Sequence, residues 1–172
     1  MIIFAVAAAS AVGVTRLVQI GCDLSGARFT VEQVDLHPQL LGGVALHPNE
    51  IPGLAASGRL SEQRAEIEQL AQHPRVRGIR ETGLDYYYDH SPRELQKECF
   101  ARFIELARAA NKPVVCHIRD AHDDARAILR NGRASELGCV SHCFTGTPDD
   151  APAYAEMHCY VSFSGTVKCK QA

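Results

Sequence analysis

Short apolar runs alternate with longer amphipathic stretches along nearly the whole of this 172-residue chain. The runs have the length of buried strands, and the stretches repeat their apolar residues with the period of about 3.6 that is typical of helices. Such alternation indicates βαβ units, in which crossover helices join successive parallel strands. The sequence therefore predicts an α/β protein whose sheet is parallel throughout.

Six strands and about five helices are predicted. The predicted strands are Arg16–Cys22, Leu40–Leu46, Val76–Glu81, Pro113–Cys116, Cys139–Ser141 and Cys159–Ser164. The predicted helices are Gly26–Leu36, Ser61–Ala71 with Ser61 as its cap, Pro92–Ala110 with Asn111 at its end, Ala121–Arg130 and Pro148–Met157. Because no linker or low-complexity segment interrupts the alternation, residues 1–172 are expected to form a single domain.

Composition sets limits on location and partners. A net charge of -2 gives no overall attraction to nucleic acid, so a polyanion would need a local patch or bound cations. Seven cysteines, an odd number spread through strand-like and helix-like segments, favour reduced buried thiols in a cytoplasmic protein over a disulfide framework. The apolar start, Met1–Val12, imitates the core of a signal peptide, but no Lys or Arg precedes it and it is too short to span a bilayer. We expect an apolar helix packed on the sheet and no membrane partner.

Three consecutive predicted strands end in side chains that bind metals. Glu81 ends one strand, with Gly83 expected to turn the chain away, while His117 and His142 end the next two. Because the C-terminal ends of parallel strands meet at one rim, these side chains are predicted to converge. One carboxylate and two imidazoles, with a position left for water, predict a catalytic divalent-metal site. The alternative is separate structural roles, with Glu81 held by Arg80 and each histidine simply hydrogen-bonded.

Weaker candidates surround this rim. His47 ends another strand and could hold a phosphate or a water molecule, although a turn residue is as good an interpretation. The loop Tyr86–Tyr88, flanked by Asp85 and Asp89, offers rings that can stack on bases, and Arg119 could contact an anion. The sequence contains neither a glycine-rich nucleotide-binding loop nor a nucleophile elbow, so nucleotide-cofactor and serine chemistry are unsupported.

The segments Glu81–Tyr86, Cys116–Ala121 and His142–Gly146 resemble the signatures of the TatD family of metal-dependent deoxyribonucleases. Further similarity lies in Val14–Asp23, Val44–Asn49 and Ser162–Thr166. The resemblance implies an amidohydrolase-like TIM barrel that cleaves phosphodiester bonds of DNA, typically at its ends, by metal-activated water. It also implies that Glu81 is the catalytic, bridging carboxylate, that His117 and His142 bind one metal, and that His47, Tyr86 and Arg119 contact phosphate or nucleotide.

The chain departs from the family pattern at two places. It contains no His-x-His pair, which the family places on its first strand, and it lacks the late Asp of the last strand. The resemblance therefore implies an incomplete barrel without the first and last strands, with one Mg, Mn or Zn site rather than two and impaired activity. Open sheet edges would favour self-association. The alternatives are hydrolysis of an amide or cyclic amide at the same site, and a non-catalytic remnant or interaction protein.

Overall fold

A six-stranded parallel sheet forms the centre of the protein. The computed structural model describes residues 2–88 and 92–168. Its strands, adjacent in chain order, are β1 (Leu17–Gly21), β2 (Leu40–Val44), β3 (Val76–Asp85), β4 (Val114–Arg119), β5 (Cys139–His142) and β6 (Cys159–Val161). The predicted α/β fold with an all-parallel sheet is thus confirmed. The sheet is not closed, since within the described residues β1 pairs only with β2 and β6 only with β5.

Seven helices accompany the strands in the described part of the chain. They are α1 (Ile2–Ala11), α2 (Leu24–Leu36), α3 (Ile51–Ala56), α4 (Leu60–Leu70), α5 (Arg93–Ala110), α6 (His122–Asn131) and α7 (Asp150–Glu156), with 3-10 turns at Ala134–Glu136 and Gly165–Lys168. Helix α3 is absent from the prediction because its six residues are too few to establish a helical period.

Local capping explains where several helices begin and end. The Asp23 carboxylate accepts the Gly26 amide at 2.6 Å, so α2 begins at Leu24 rather than at Gly26. The prediction of Ser61 as a cap is wrong, because α4 begins one residue earlier and Ser61 lies inside its first turn. Asn111 ends α5 in the left-handed region, with φ 51° and ψ 51°, as its position after Ala110 indicates.

The two faces of the sheet differ. A β-carbon at Gly42 would meet Thr30 and Val34 of α2, whereas one at Gly43 would meet Ile20 and Arg80. Successive residues of a strand point to opposite faces. We call the face turned away from α2, which carries Ile20, Gly43 and Arg80, the inner face. The main apolar core lies on the helix-covered face, where α5 packs on β3 and α2 packs on β1 and β2.

Helix α1 is apolar along its length but packs through few residues. Val6 is buried beside Val34 and Leu40, while Ile3 and Phe4 are exposed. The expectation of a helix packed on the sheet therefore holds for one face of α1 only. No helix in the described ranges combines the length and apolarity needed to cross a membrane.

Two cysteines differ from the sequence-based expectation. Cys139 and Cys159 are register partners on β5 and β6, with Cα atoms 4.5 Å apart, and they form a disulfide. The prediction of reduced thiols is wrong for this pair, because parallel pairing places the two residues opposite each other across the sheet. The other described cysteines are free thiols: Cys22, Cys99, Cys116 and Cys143. A cytoplasmic location, which was inferred from reduced thiols, stays a prediction.

Candidate metal centre

An irregularity in β3 shapes the site. Ile79 pairs with Val114 and Thr82 with Cys116, so three steps along β3 match two along β4. A bulge of this kind re-aims side chains. Arg80 and Glu81, between the buried Ile79 and Thr82, both extend toward His142. The extra residue therefore brings two consecutive charged side chains to the inner face.

The predicted end of β3 at Glu81 is wrong, because the strand continues to Asp85. Gly83 does not turn the chain away. It has φ +145°, and a β-carbon there would lie 1.9 Å from the carbonyl oxygen of His117. Glycine is required because β3 and β4 approach too closely for any side chain. This close contact fixes His117 beside the bulge.

Three side chains meet at the rim of the sheet. Ligand atoms of His47, Glu81 and His117 all lie within 4.8 Å of one another. The rings of His47 and His117 are 4.5 Å apart between centroids, edge to face. The structure thus brings together two of the predicted metal ligands and adds His47, which the sequence indicated only as a contact for phosphate or water.

His142 lies beside this group. Its Nε2 is 3.9 Å from Glu81 Oε1, but it is closer to Arg80, whose Nη2 is 3.0 Å away. Ser162 Oγ is 3.2 Å from the other ring nitrogen, and Cys143 Sγ is 3.2 Å from Nε2. Both imidazole nitrogens therefore face protein groups, and the role of His142 as a metal ligand stays a prediction.

Asp85 supports His117 from behind. Its buried carboxylate places Oδ2 2.9 Å from His117 Nε2, and Oδ1 accepts the amides of Tyr87 and Tyr88 at 3.1 and 3.3 Å. The Gln96 side chain bonds the Asp85 amide and carbonyl at 2.8 and 3.0 Å. Burial alone would raise the pKa of Asp85, but the hydrogen bonds from His117 and the two amides outweigh burial and lower it. An ionised carboxylate that orients a histidine is the usual partner of a metal-binding imidazole.

This role of Asp85 was not predicted from the sequence. The residue was expected only as an acidic neighbour of the loop Tyr86–Tyr88, since β3 was expected to end at Glu81. The one available signal was the strand-like length of the segment from Val76 onward.

The surroundings lower the pKa of two of these histidines. Burial, and then the neighbouring His117, lower the pKa of His47 to about 4, although Asp85 opposes this. Burial and the Arg80 guanidinium lower the pKa of His142, against the influence of Glu81. The Asn49 amide donates to His47 Nδ1 at 3.2 Å, which leaves Nε2 for another partner. Neutral imidazoles at physiological pH are able to bind metals.

The donor set fits a divalent cation. Two imidazoles and one carboxylate are ligands that Zn²⁺ and Mn²⁺ accept, whereas Mg²⁺ prefers oxygen ligands. The contact with Asp85 takes Nε2 of His117 and leaves Nδ1 for coordination. His47, Glu81 and His117 therefore offer three ligands for one cation, with the Asp85 carboxylate in support.

The remaining predicted residues lie at the same rim but differ in their surroundings. The Tyr86 hydroxyl donates to Asp124 Oδ2 at 2.6 Å, and its ring lies under the Arg93 guanidinium at 4.4 Å. Arg119 covers the ring of Tyr87 at 3.6 Å, and Tyr87 is 57% exposed. The aromatic and cationic surface is therefore formed by Tyr87 and Arg119, while Tyr86 is tied to the protein. Asp89, which was predicted to join this loop, lies outside the described residues.

The sequence is similar to those of known metal-dependent hydrolases. The profile of the family described as TatD related DNase matches residues 4–172. A metal-dependent hydrolase named YabD from Bacillus subtilis is 35% identical over 164 residues, which cover 95% of this chain and 62% of the relative. A 3'-5' ssDNA/RNA exonuclease named TatD from Enterobacter lignolyticus is 30% identical over 162 residues, or 94% of this chain and 60% of that protein. The chain thus spans about three fifths of the length of these curated relatives.

Solved structures show the same fold. The crystal structure of YJJV, a TatD homolog from Escherichia coli, superposes with a TM-score of 0.81 at 22% identity, over 95% of this chain and 62% of that one. A TatD family hydrolase from Entamoeba histolytica gives a TM-score of 0.74 at 22% identity, over 90% of this chain and 53% of that one. With the family profile matched over nearly its whole length, the chain belongs to the TatD-related DNase family of metal-dependent hydrolases.

Proposed function

We propose that this protein hydrolyses phosphodiester bonds of DNA from an end of the strand, with one divalent metal. The observation that carries the proposal is the convergence of His47, Glu81 and His117, supported by the buried carboxylate of Asp85. Relatives named as metal-dependent hydrolases and as a 3'-5' ssDNA/RNA exonuclease support the same chemistry.

Each residue has a distinct part in the proposed mechanism. His47, Glu81 and His117 would hold Mg, Mn or Zn, with His142 adjacent to Glu81 as a further candidate ligand. The cation, when bound, supplies Lewis-acid polarisation of a phosphoryl oxygen and lowers the pKa of water. The Glu81 carboxylate would accept a proton from the attacking water. Asp85 keeps the His117 ring oriented throughout.

The substrate contacts follow from the surface near the rim. Because the chain has a net charge of -2, local groups must attract a nucleic acid. Arg119 over Tyr87 offers a cation and an exposed ring on which a base can stack. Tyr86, tied to Asp124, is proposed to border this surface rather than to move with the substrate.

We further propose that residues 1–172 act as one hydrolase domain, an incomplete barrel in the cytoplasm that associates with further copies at its open edges. The open edges are β1 and β6, where Val18 and Tyr160 are exposed.

The proposal is tested by following nucleotide release from 5'-labelled single-stranded DNA with Mg, Mn or Zn. We expect metal-dependent shortening of the labelled strand that EDTA abolishes and that Glu81→Gln and His117→Ala reduce at least about a hundredfold. Glu94→Gln, at an exposed carboxylate on α5, is the matched control and should keep full activity. Absence of release with all three metals would refute the proposal, and hydrolysis of a dihydroorotate-like ring instead would favour an amide substrate.

A further inference from the structure

Arg80 lies across the inner face next to the metal-ligand group. A β-carbon at Gly43 would lie 3.1 Å from Arg80 Cβ and 3.7 Å from its Cδ, so the side chain passes over β2. Its Nη2 then reaches His142 Nε2, on β5, at 3.0 Å. The guanidinium is therefore held on the inner face between the strands that carry the site.

This guanidinium has no anionic partner. Within residues 2–88 and 92–168, no carboxylate oxygen lies within 4.0 Å of its nitrogens, although Glu81 is the next residue in the chain. Its Nε is buried without a hydrogen-bond partner, and Nη2 contacts the ring of His142 rather than a carboxylate. Arg75, by contrast, donates hydrogen bonds from its guanidinium to several backbone carbonyl oxygens.

An arginine keeps its charge in any protein environment, and a partly buried charge without a counter-ion is costly. A bound anion would relieve this cost. Planar guanidinium groups match the oxygens of a phosphate, to which they donate two parallel hydrogen bonds. Glu81 Oε1 is 3.9 Å from His142, so an anion on Arg80 and His142 would lie beside the metal ligands.

We infer that Arg80, with His142, forms a phosphate-binding subsite adjoining the metal centre. Its role in turnover rests on the proposed phosphodiester hydrolysis, where it would hold a non-bridging phosphate oxygen of the nucleotide being removed. Its affinity for free phosphate does not depend on that function. From the sequence, Arg80 was considered only as a structural partner of Glu81.

The subsite is tested by calorimetric titration of inorganic phosphate into EDTA-treated protein, so that no metal contributes. We expect Arg80→Met to weaken binding about ten- to a hundredfold, the range of a lost charge-assisted pair of hydrogen bonds. Arg80→Lys keeps the positive charge but cannot donate two parallel hydrogen bonds, so its phosphate affinity should lie between those of the wild type and Arg80→Met. Arg77→Met, at an exposed arginine on the same strand, is the matched control and should bind phosphate like the wild type.

Equal phosphate affinity in wild type and Arg80→Met, or no measurable binding by the wild type, would overturn the inference. If Arg80→Met does not fold, as judged by its thermal unfolding, Arg80→Lys decides the question by the same comparison. Titrations with acetate and with a thymidine dinucleotide compare the affinity for a carboxylate and for a phosphodiester with that for inorganic phosphate. Preference for acetate would overturn the assignment to phosphate, and tighter binding of the dinucleotide would support a substrate phosphodiester.

The inference and the proposed function fail in different ways. Phosphate binding that depends on Arg80, without DNA hydrolysis under any metal, would leave the subsite standing and refute the nuclease. DNA hydrolysis together with phosphate binding that does not depend on Arg80 would support the nuclease and refute the subsite. If both hold, Arg80→Met in the metal-loaded enzyme should raise KM for DNA and the inhibition constant for phosphate by similar factors.

Discussion

At the scale of single residues, Asp85 connects the sheet to the metal ligands. Its carboxylate contacts His117 Nε2 and two backbone amides, and Gln96 bonds its main chain on both sides. Both oxygens of this buried carboxylate, and the amide and carbonyl of Asp85, therefore have hydrogen-bond partners. The His117 ring can hold only the orientation that this network allows.

We predict that Asp85→Asn lowers the affinity for Zn²⁺ or Mn²⁺ about ten- to a hundredfold, because a neutral amide polarises and orients His117 less well. Asparagine keeps an oxygen for the two amides, so the fold should be preserved. Calorimetric metal titration measures the effect, and Asp124→Asn, at a carboxylate bound to Tyr86 rather than to a ligand, is the control. Unchanged metal affinity in Asp85→Asn would show that His117 does not depend on Asp85.

His122, which is not among the metal ligands, makes the stability of the fold depend on pH. Its Nδ1 is 3.0 Å from the Tyr154 hydroxyl, Nε2 is buried without a partner, and the ring packs against Phe144. Burial lowers the pKa of His122 below its ordinary value of 6.5, despite the opposing influence of Asp150. Below about pH 6.5 the unfolded chain therefore binds more protons than the folded one, and stability falls as the pH falls.

We predict that His122→Phe reduces the loss of stability that the wild type shows as the pH falls. The variant gives up the hydrogen bond to Tyr154, so at pH 7 it should be within about 1 kcal/mol of the wild type. Between pH 7 and pH 5 its free energy of unfolding should decline less than that of the wild type, because no proton can bind position 122. Urea denaturation of metal-free protein at both values tests this. Parallel declines in the two proteins would contradict the prediction.

At the scale of elements, the contact between β3 and β4 determines where the ligands stand. Gly83, at φ +145°, allows the His117 carbonyl to lie where a β-carbon would be. The bulge between Ile79 and Thr82 then brings Arg80 and Glu81 to one face. The site therefore depends on the register of these two strands as well as on its side chains.

We predict that Gly83→Ala lowers the free energy of unfolding by about 3 kcal/mol or more, since the new methyl meets backbone and the positive φ disfavours alanine. Separation of β3 from β4 should also weaken metal binding. Gly53→Ala is the control, because a β-carbon there in helix α3 meets nothing within 4 Å. Urea denaturation of both variants gives the comparison, and equal stability would argue against the close approach.

The elements that the sequence predicts best are those with a clear period. Helix α5 is predicted within one residue, because its apolar stripe and Asn111 mark its face and its end. The strands follow from apolar runs bounded by glycine and proline. Helix α3 and the last four residues of β3 were missed, since neither carries a periodic signal.

The candidate site is only partly predictable because it depends on contacts between strands. Strand ends indicate that Glu81, His117 and His47 lie at one rim, but not that His47 approaches the other two as a metal ligand or that Arg80 contacts His142. The bulge, and the pairing of Cys139 with Cys159, depend on register between neighbouring strands. A hydrophobic pattern along one strand contains no information on register with the next.

At the scale of the whole molecule, the sheet formed by residues 2–88 and 92–168 has two unpaired edges, β1 and β6. Val18 on β1 is 56% exposed and Tyr160 on β6 is 75% exposed. An exposed edge strand presents backbone groups to which another strand can add. Because β1 and β6 end the same parallel sheet, β6 of one copy can continue into β1 of the next, and such head-to-tail contacts do not close after two copies.

We predict concentration-dependent self-association with more than two species, measured by sedimentation velocity from low to high micromolar protein. The double substitution Val18→Lys with Tyr160→Lys should shift the distribution to monomer, because charges on edge strands oppose edge-to-edge pairing. Phe4→Lys, at an exposed ring on α1, is the control and should leave association unchanged. A monomer at all concentrations would refute edge pairing, and dissociation by Phe4→Lys alone would assign the contact to α1. Association through the sheet would place the metal centres of neighbouring copies on one continuous rim, since all strands would run in the same direction.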